Sequence, residues 1–232
     1  MKYRKKELEQ YLIQQKPNEP IESYKKMFKY FLGNRNSIVL NFNYTDTIKK
    51  LYGKETMEAD IFHIHGELEN LENPIIFGYA ANEAENTLLV NKNYNEYVRN
   101  IKKFAYNRTN NKSKLKNYLN KQERIYVHIL GHSFRISDSL ILEEILNHKN
   151  IKSIQIYYHE TYENYFNIQV NMYRIMRNNF NFEKVVNFQD SIRMPQAFDS
   201  KEQVQSFDLF LKKIMQEYKN DIPPAPSLYF SF

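Results

Sequence analysis

The chain has 232 residues, 42% of them hydrophobic, with 19 Tyr and 16 Phe supplying much of the apolar content. This length and composition indicate a globular protein with a sizeable core, and exclude a wholly disordered chain. The lack of cysteine excludes disulfides and cysteine-ligated zinc. No apolar run reaches the roughly 18 residues that a membrane span needs, so we expect a cytoplasmic protein and no membrane partner.

The net charge of +6 raises nucleic acid as a partner. The charged residues are spread through every predicted helix, which is typical of a solvated surface. The densest basic cluster is interleaved with aromatic residues and comprises Lys102, Lys103, Arg108, Lys112, Lys114 and Lys116. It is consistent with phosphate contacts, but we favour the solvated face of a helical insertion. Nucleic acid is therefore the less favoured partner.

Helical and strand patterns alternate along the first part of the chain. Apolar residues at helical spacing follow Pro20, and Gly33 stands at the position of a C-cap glycine. Either Thr45 or Asp46 would cap the short helix after the first strand. The elements predicted here are a charged helix over 4–15, a helix over 20–32, a strand over 37–44, a helix over 45–52 and strands over 60–65 and 74–79.

The second part continues this alternation after a change of pattern. The elements predicted here are a helical insertion within 80–122, a strand over 124–130, a helix over 137–148, a strand over 153–159, a helix over 161–178, a strand over 184–188 and a helix over 200–218. Alternating strands and helices predict an α/β fold with a mainly parallel sheet. We expect one domain over 1–220, whose insertion covers a cleft as a lid with its lysines in water, and an extended Pro-containing tail over 221–232.

Polar side chains follow the predicted strands at the points where these end. Asn43 and Asp46 follow the first strand, and His65 with Gly66 follows the second. Carboxyl ends of parallel strands meet at one edge of a sheet, where ligand clefts form. We therefore expect an amide, a carboxylate and an imidazole to line a cleft, and a glycine to let a ligand approach the backbone closely.

Two other patterns have competing interpretations. His63 and His65 would share one face of a strand and in principle chelate a metal, but no Asp or His at ligand spacing accompanies them, so we predict no metal site. The turn Gly131-His132-Ser133 lacks the second glycine of a hydrolase nucleophile elbow. Ser133 there suits either a hydroxyl or phosphate contact or a simple turn.

Four of these segments, taken in order, resemble the bacteriophage abortive-infection AbiH family. They are Asn41-Phe-Asn-Tyr-Thr-Asp46, Ile64-His-Gly66, Ile75-Ile-Phe-Gly78, and Leu130-Gly-His-Ser-Phe134 with Ser137-Asp138. The resemblance covers about residues 37–160. The family in turn looks like a divergent, Rossmann-like, sirtuin-type fold for nicotinamide adenine dinucleotide (NAD). The resemblance thus implies an antiphage defence protein whose site hydrolyses or binds NAD or a related nucleotide.

The resemblance also implies roles for individual residues. Asn43 would position water or the nicotinamide, and His65 would act as a base. The residues implied in ligand binding are Tyr44, Asp46, Gly66, Gly131 and Ser133. One residue more than usual separates Asn43 from Asp46, so Asp46 would instead be free to cap its helix.

One motif that is typical of the family is not recognisable in this sequence. Nothing before Ser37 resembles the family's N-terminal glycine-rich phosphate loop, so we expect a truncated product, or a second copy or separate polypeptide that supplies the loop. The alternative to a NAD glycohydrolase is a non-catalytic nucleotide-sensing or protein-interaction module, which the missing loop favours. The sequence specifies neither the phage trigger nor the oligomeric state.

Overall fold

A computed structural model describes residues 6–8, 10–12, 19–32, 36–55, 59–79, 91, 95–98, 101–176, 181–219 and 227–231. The strands are β1 (Ile38–Asn41), β2 (Asp60–His63), β3 (Ile125–Leu130), β4 (Ile151–Tyr158), β5 (Ile192–Arg193) and β6 (Ser227–Ser231). The helices are α1 (Glu22–Phe31), α2 (Thr47–Tyr52), α3 (Asn95–Val98), α4 (Lys102–Ala105), α5 (Asn111–Lys121), α6 (Ser139–Leu146), α7 (Tyr162–Met176) and α8 (Lys201–Lys219). None of the helices in these ranges has the length and apolarity that crossing a membrane requires.

The six strands form one parallel sheet in the order β2-β1-β6-β3-β4-β5. From β1 the chain moves to β2 on one side, whereas β3, β4 and β5 follow one another on the other side. The direction of winding therefore reverses between β1 and β3. The strand β6 fills this position, with Ile38 of β1 and Val127 of β3 both registered on Leu228.

Helices cover both faces of the sheet, which explains the nearly continuous apolar runs of β1 and β3. Every residue of these two strands is buried. Alternate side chains point to opposite faces, so Ile38 and Leu40 pack with α5, α6 and α7, while Val39 packs with α1, α2 and α8. The result is a three-layer α/β architecture with a core on each side of the sheet.

The ends of the helices show which polar side chains serve the backbone. Before α8, Ser200 N donates to Gln203 Oε1 (2.8 Å) and Gln203 N donates to Ser200 Oγ (3.3 Å), and these two hydrogen bonds form a capping box. Asp46 before α2 and Asp138 before α6 also occupy N-cap positions, but neither carboxylate makes a capping hydrogen bond. The expected cap of α2 by Asp46 is thus wrong, and both carboxylates point elsewhere.

The sheet is parallel as predicted, but two predicted strands are wrong. Residues 74–78 form no strand, and only an isolated bridge joins Tyr79 to Ile101. Residues 184–188 connect two 3-10 turns, Phe182–Lys184 and Phe188–Asp190, and form only an isolated bridge, at Val185. The strand comes later in the chain, as β5. The tail is extended at its end, as expected, but it is the central strand of the sheet. Gly33 and most of 80–100 lie outside the described residues.

Candidate functional site

The carboxyl ends of β1, β2 and β3 lead into a cluster centred on His65. This residue is only 7% exposed, and both of its ring nitrogens face oxygen atoms. Nδ1 lies 3.0 Å from the Phe42 carbonyl oxygen, and Nε2 lies 2.9 Å from Asp138 Oδ1. Only a doubly protonated ring can donate to both. In a neutral ring that keeps the Nδ1 hydrogen, Nε2 accepts from Lys102 Nζ at 3.2 Å instead.

Asp138 is the shared partner of the cluster. Its Oδ1 accepts from Lys102 Nζ at 2.6 Å as well as facing His65, and its Oδ2 lies 3.7 Å from His132 Nε2. Burial alone would raise the pKa of this carboxyl. Its contacts with His132 and His65 and the nearby positive charge of Lys102 outweigh burial and hold the pKa below its usual range. Asp138 is therefore a buried carboxylate whose charge is kept by its partners.

Lys102 enters this cluster from the insertion. It begins α4, and it is 7% exposed because its side chain reaches inward to Asp138. A buried ammonium group is costly unless it is paired, and here the pairing is direct. The next residue, Lys103, is exposed. Lys102 therefore cannot be one of the surface lysines that we expected to face water or contact phosphates.

His132 forms the wall of the cluster next to β3. Its Nδ1 accepts a hydrogen bond from the backbone N–H of Phe134 at 3.0 Å, which leaves Nε2 facing Asp138. Burial lowers the pKa of His132, only partly opposed by Asp138. A tight backbone turn with positive φ at Gly131 (72°) and Phe134 (53°) brings the ring inward.

Two tyrosines border the same cluster. The Tyr106 ring stacks on His65 at 6.3 Å between centroids, and the Tyr44 ring lies 6.2 Å from His65. Tyr44 donates its hydroxyl proton to the Ile76 carbonyl at 3.3 Å. The buried Tyr106 hydroxyl has no hydrogen-bond partner among the described residues. Burial and the nearby Asp138 raise the pKa values of both phenols, so both remain protonated donors.

A second polar group lies beside the first, around His63. Nε2 of this buried imidazole lies 3.5 Å from Asp46 Oδ1 and 3.9 Å from Glu67 Oε1. The three candidate ligand atoms lie within 4.8 Å of one another. His65 is not part of this group, and the two histidines have separate sets of partners. The carboxylates come from the loops after β1 and β2, which spacing along the chain did not reveal.

The remaining predicted residues are placed as follows. Asn43 follows β1, and its side chain is half-buried and hydrogen-bonded to no other described residue. Gly66 has φ of 85°, and a Cβ there would lie 2.4 Å from the Pro74 carbonyl oxygen. Close packing of the following loop is sufficient to require glycine here. Ser133 is exposed, and its carbonyl accepts from Asn171 of α7, so His132 and not Ser133 faces the cluster.

The described part of the insertion packs against the cluster with some of its side chains. Ile101, Ala105 and Tyr106 are buried, whereas Phe104 is 44% exposed. In the sequence of the insertion, Tyr94, Tyr97 and Phe104 are spaced as an aromatic stripe of a helix, and Tyr94 lies outside the described residues. Among the described residues of the insertion, the Tyr106 ring therefore lies at the cluster and the Phe104 ring is partly exposed.

Sequence reasoning missed three members of the cluster, namely Lys102, His132 and Asp138. His132 and Asp138 both stand within the quoted Leu130–Asp138 segment, so their proximity in sequence to Ser133 was an available signal. Asp138 was interpreted only as part of a helix start. Nothing in the sequence distinguishes Lys102 from its neighbour Lys103, because their opposite burial depends on the angle at which α4 packs.

Fold and cluster together define a parallel α/β protein with a buried His–Asp–Lys group at the carboxyl edge of its sheet. The chain belongs to the family described as bacteriophage abortive infection AbiH, whose family model matches residues 1–160. Membership supports a role in abortive-infection defence, as the resemblance implied. The match includes the segment before Ser37. Comparison with curated proteins and with solved structures found no match.

Proposed function

We propose that this AbiH-family protein acts in phage defence by binding NAD at the His65 cluster and hydrolysing the bond between nicotinamide and ribose. The observation that carries the proposal is the buried contact of His65 with Asp138 and Lys102 at the carboxyl ends of three parallel strands. Perturbed, mutually paired ionisable groups in such a position are typical of active sites.

The strand order supports a dinucleotide as the ligand. In open parallel sheets, ligands bind at the carboxyl edge where the direction of winding reverses, and the His65 cluster follows the strands on both sides of that point. Rossmann-like folds bind dinucleotides at such a point, which supports the Rossmann-like, sirtuin-type fold that the resemblance implies. The Tyr106 hydroxyl and the Asn43 amide, which bind no other described residue, are suited to a ribose hydroxyl or the nicotinamide carboxamide.

The chemistry requires a base but no acid. The positively charged nicotinamide leaves C1′ of the ribose as a neutral molecule, taking the electrons of the broken C–N bond. Water adds to C1′ and loses one proton, which the His65–Asp138 pair accepts. The Asp138 carboxylate also favours the positive charge that develops on the ribose. Removing such a base reduces the rate by about 10²- to 10⁴-fold.

Lys102 has to move for this reaction. Its Nζ lies 3.2 Å from His65 Nε2, in the place that a water molecule or ribose hydroxyl would take. Because Lys102 is carried by the insertion, outward displacement of α4 would uncover His65 Nε2 and Asp138 together. The insertion then acts as the lid that the sequence suggested, with Lys102 as the group that closes it.

A non-catalytic nucleotide-binding module is the second candidate, and one observation favours it. His65 is 7% exposed and both ring nitrogens are already engaged, so the ring in this arrangement holds the cluster together and has no nitrogen free for a substrate. Such a module would bind NAD and release no nicotinamide.

The experiment measures NAD binding by calorimetry and nicotinamide release by chromatography, using the purified chain. His65→Asn and Asp138→Asn are compared with His159→Asn, a change at an exposed histidine far along the chain. The proposal predicts release that both cluster variants reduce at least 100-fold and that the control leaves unchanged. Binding without release would establish the module instead. Absence of both binding and release would overturn NAD as the ligand.

A further inference from the structure

We propose that His63, Asp46 and Glu67 form a binding site for one divalent transition-metal ion, separate from the His65 cluster. The site joins one imidazole nitrogen and two carboxylate oxygens from the ends of β1 and β2. Such a mixed set of nitrogen and oxygen ligands suits Zn²⁺ or Mn²⁺. The proposal does not depend on NAD chemistry, since none of its three residues belongs to the proposed proton-accepting pair.

The distances fit ligands that share an ion. His63 Nε2 lies 3.5 Å from Asp46 Oδ1 and 3.9 Å from Glu67 Oε1. Ligand atoms that are each about 2.1 Å from one metal ion lie about 3.0–3.5 Å from each other. These two distances are close to that range and all three ligand atoms lie within 4.8 Å of one another, so rotations of the two carboxylate side chains would close the group around an ion.

His63 has the exposure and orientation of a ligand. It is 5% exposed, and its Nδ1 lies 3.4 Å from both the Asn43 carbonyl oxygen and the Asn41 side-chain amide nitrogen, so the tautomer decides which of the two it bonds. With the proton on Nδ1, the lone pair of Nε2 points between the two carboxylates, and Nε2 has no hydrogen bond within the described part of the chain. A metal-binding histidine commonly donates its other N–H to a backbone carbonyl in this way.

The two carboxylates are held ready by other contacts. Asn70 Nδ2 donates to Glu67 Oε2 at 2.9 Å, which fixes that side chain and leaves Oε1 facing His63. Asp46 occupies the N-cap position of α2 but makes no capping bond, so its carboxylate is available. Asn73 and Asn111 both donate to the His63 carbonyl, at 3.1 and 3.0 Å, and fix the backbone that carries the imidazole.

Charge gives an independent reason for a cation here. Asp46 and Glu67 bring two negative charges close together, and no lysine or arginine among the described residues forms an ion pair with either. In the absence of a cation these charges repel one another. An imidazole ligand favours Zn²⁺ or Mn²⁺ over Mg²⁺ and Ca²⁺, which prefer oxygen alone. Three protein ligands leave a position open for water.

The test uses the full chain after removal of metal with a chelator. Calorimetry with ZnCl₂ and MnCl₂ is expected to show one site per chain, with MgCl₂ and CaCl₂ at least 10-fold weaker. Glu67→Gln and Asp46→Asn keep side-chain size and are each expected to weaken Zn²⁺ binding at least 10-fold. Glu72→Gln, an exposed change in the same loop, serves as the matched control and should bind like the wild type.

Circular dichroism of the metal-free proteins separates loss of the site from loss of the fold, because both variants replace partly exposed side chains. A Zn²⁺-dependent rise in melting temperature should occur in the wild type and in Glu72→Gln but be reduced in the two site variants. Absence of stoichiometric Zn²⁺ and Mn²⁺ binding, or binding that neither Asp46→Asn nor Glu67→Gln weakens, would overturn the proposal.

Discussion

Replacing Lys102 by methionine tests the buried cluster most directly. Methionine retains the length and the apolar stem of lysine but removes the ammonium group that lies 2.6 Å from Asp138 Oδ1. Both side chains are 9% exposed, so little water can compensate the loss. Removing one member of a buried ion pair typically costs about 3–5 kcal/mol. Since His65 and His132 still contact Asp138, we expect the lower end, about 3 kcal/mol.

The adjacent residue provides the control. Lys103 stands on the same helix but is exposed, so Lys103→Met should change the free energy of unfolding by no more than about 0.5 kcal/mol. Urea unfolding followed by circular dichroism at pH 7 compares both variants with the wild type. For a chain of this size, 3 kcal/mol corresponds to a fall of about 6–12 °C in melting temperature.

A double variant decides whether the effect belongs to the pair. Lys102→Met leaves the Asp138 carboxylate without its ammonium partner, and Asp138→Asn removes that carboxylate charge. The double variant should therefore lose less free energy of unfolding than the sum of the two single variants, by about 2 kcal/mol. Equal effects of Lys102→Met and Lys103→Met, both below 1 kcal/mol, would refute the burial and pairing of Lys102. Additive effects of the two cluster changes would refute their direct contact.

Three further predictions concern stability. Burial lowers the pKa of His128 to about 3, below its ordinary value near 6.5, so the folded state binds fewer protons between these pH values and the free energy of unfolding falls as pH falls through that range. Urea titrations at several pH values should show that the free energy of unfolding falls less steeply with decreasing pH in His128→Gln than in the wild type. The exposed His159→Gln should behave like the wild type. Gly66→Ala should lose more than about 2 kcal/mol in the same assay, since its φ is 85° and the new Cβ would lie 2.4 Å from a backbone oxygen; a loss below 0.5 kcal/mol would contradict that geometry. Ser200→Ala should lose about 1 kcal/mol with the capping box, whereas Ser206→Ala on the exposed face of the same helix should be neutral or slightly stabilising, and equal effects would exclude the cap.

Local signals in the sequence were sufficient for most of the fold. Helix α8 was predicted within one residue at each end, because its capping pair and its apolar spacing agree. The run 124–130 was correctly predicted as a central strand because it is apolar throughout, as expected where helices cover both faces. In contrast, residues 74–79 have a strand-like composition, but Ile76 N donates to the His65 carbonyl and the segment packs beside Gly66 without joining the sheet.

The position of β6 had no local signal. Its five residues follow a Pro-rich segment and resemble a tail, and only pairing with β1 and β3 determines where they lie. The site shows the same limitation. The sequence indicated that His65 lies near the carboxyl end of a strand, but its contacts with Lys102 and Asp138 join segments far apart in sequence. The partners of His63 were missed because Asp46 was assigned to the cleft beside His65 or to a helix cap.

The central place of β6 has a consequence for how the protein folds. The pair β2-β1 and the three strands β3-β4-β5 are two half-sheets, and residues 227–231 are the strand that hydrogen-bonds to both. Each half can form from segments near one another in sequence, but their union brings Ile38 and Val127 to the same residue, Leu228. Closing such long loops costs entropy before any contact is gained, so this step should be late and slow. During synthesis, the two halves of the His65 cluster would have to wait for β6 before the sheet could hold them in register.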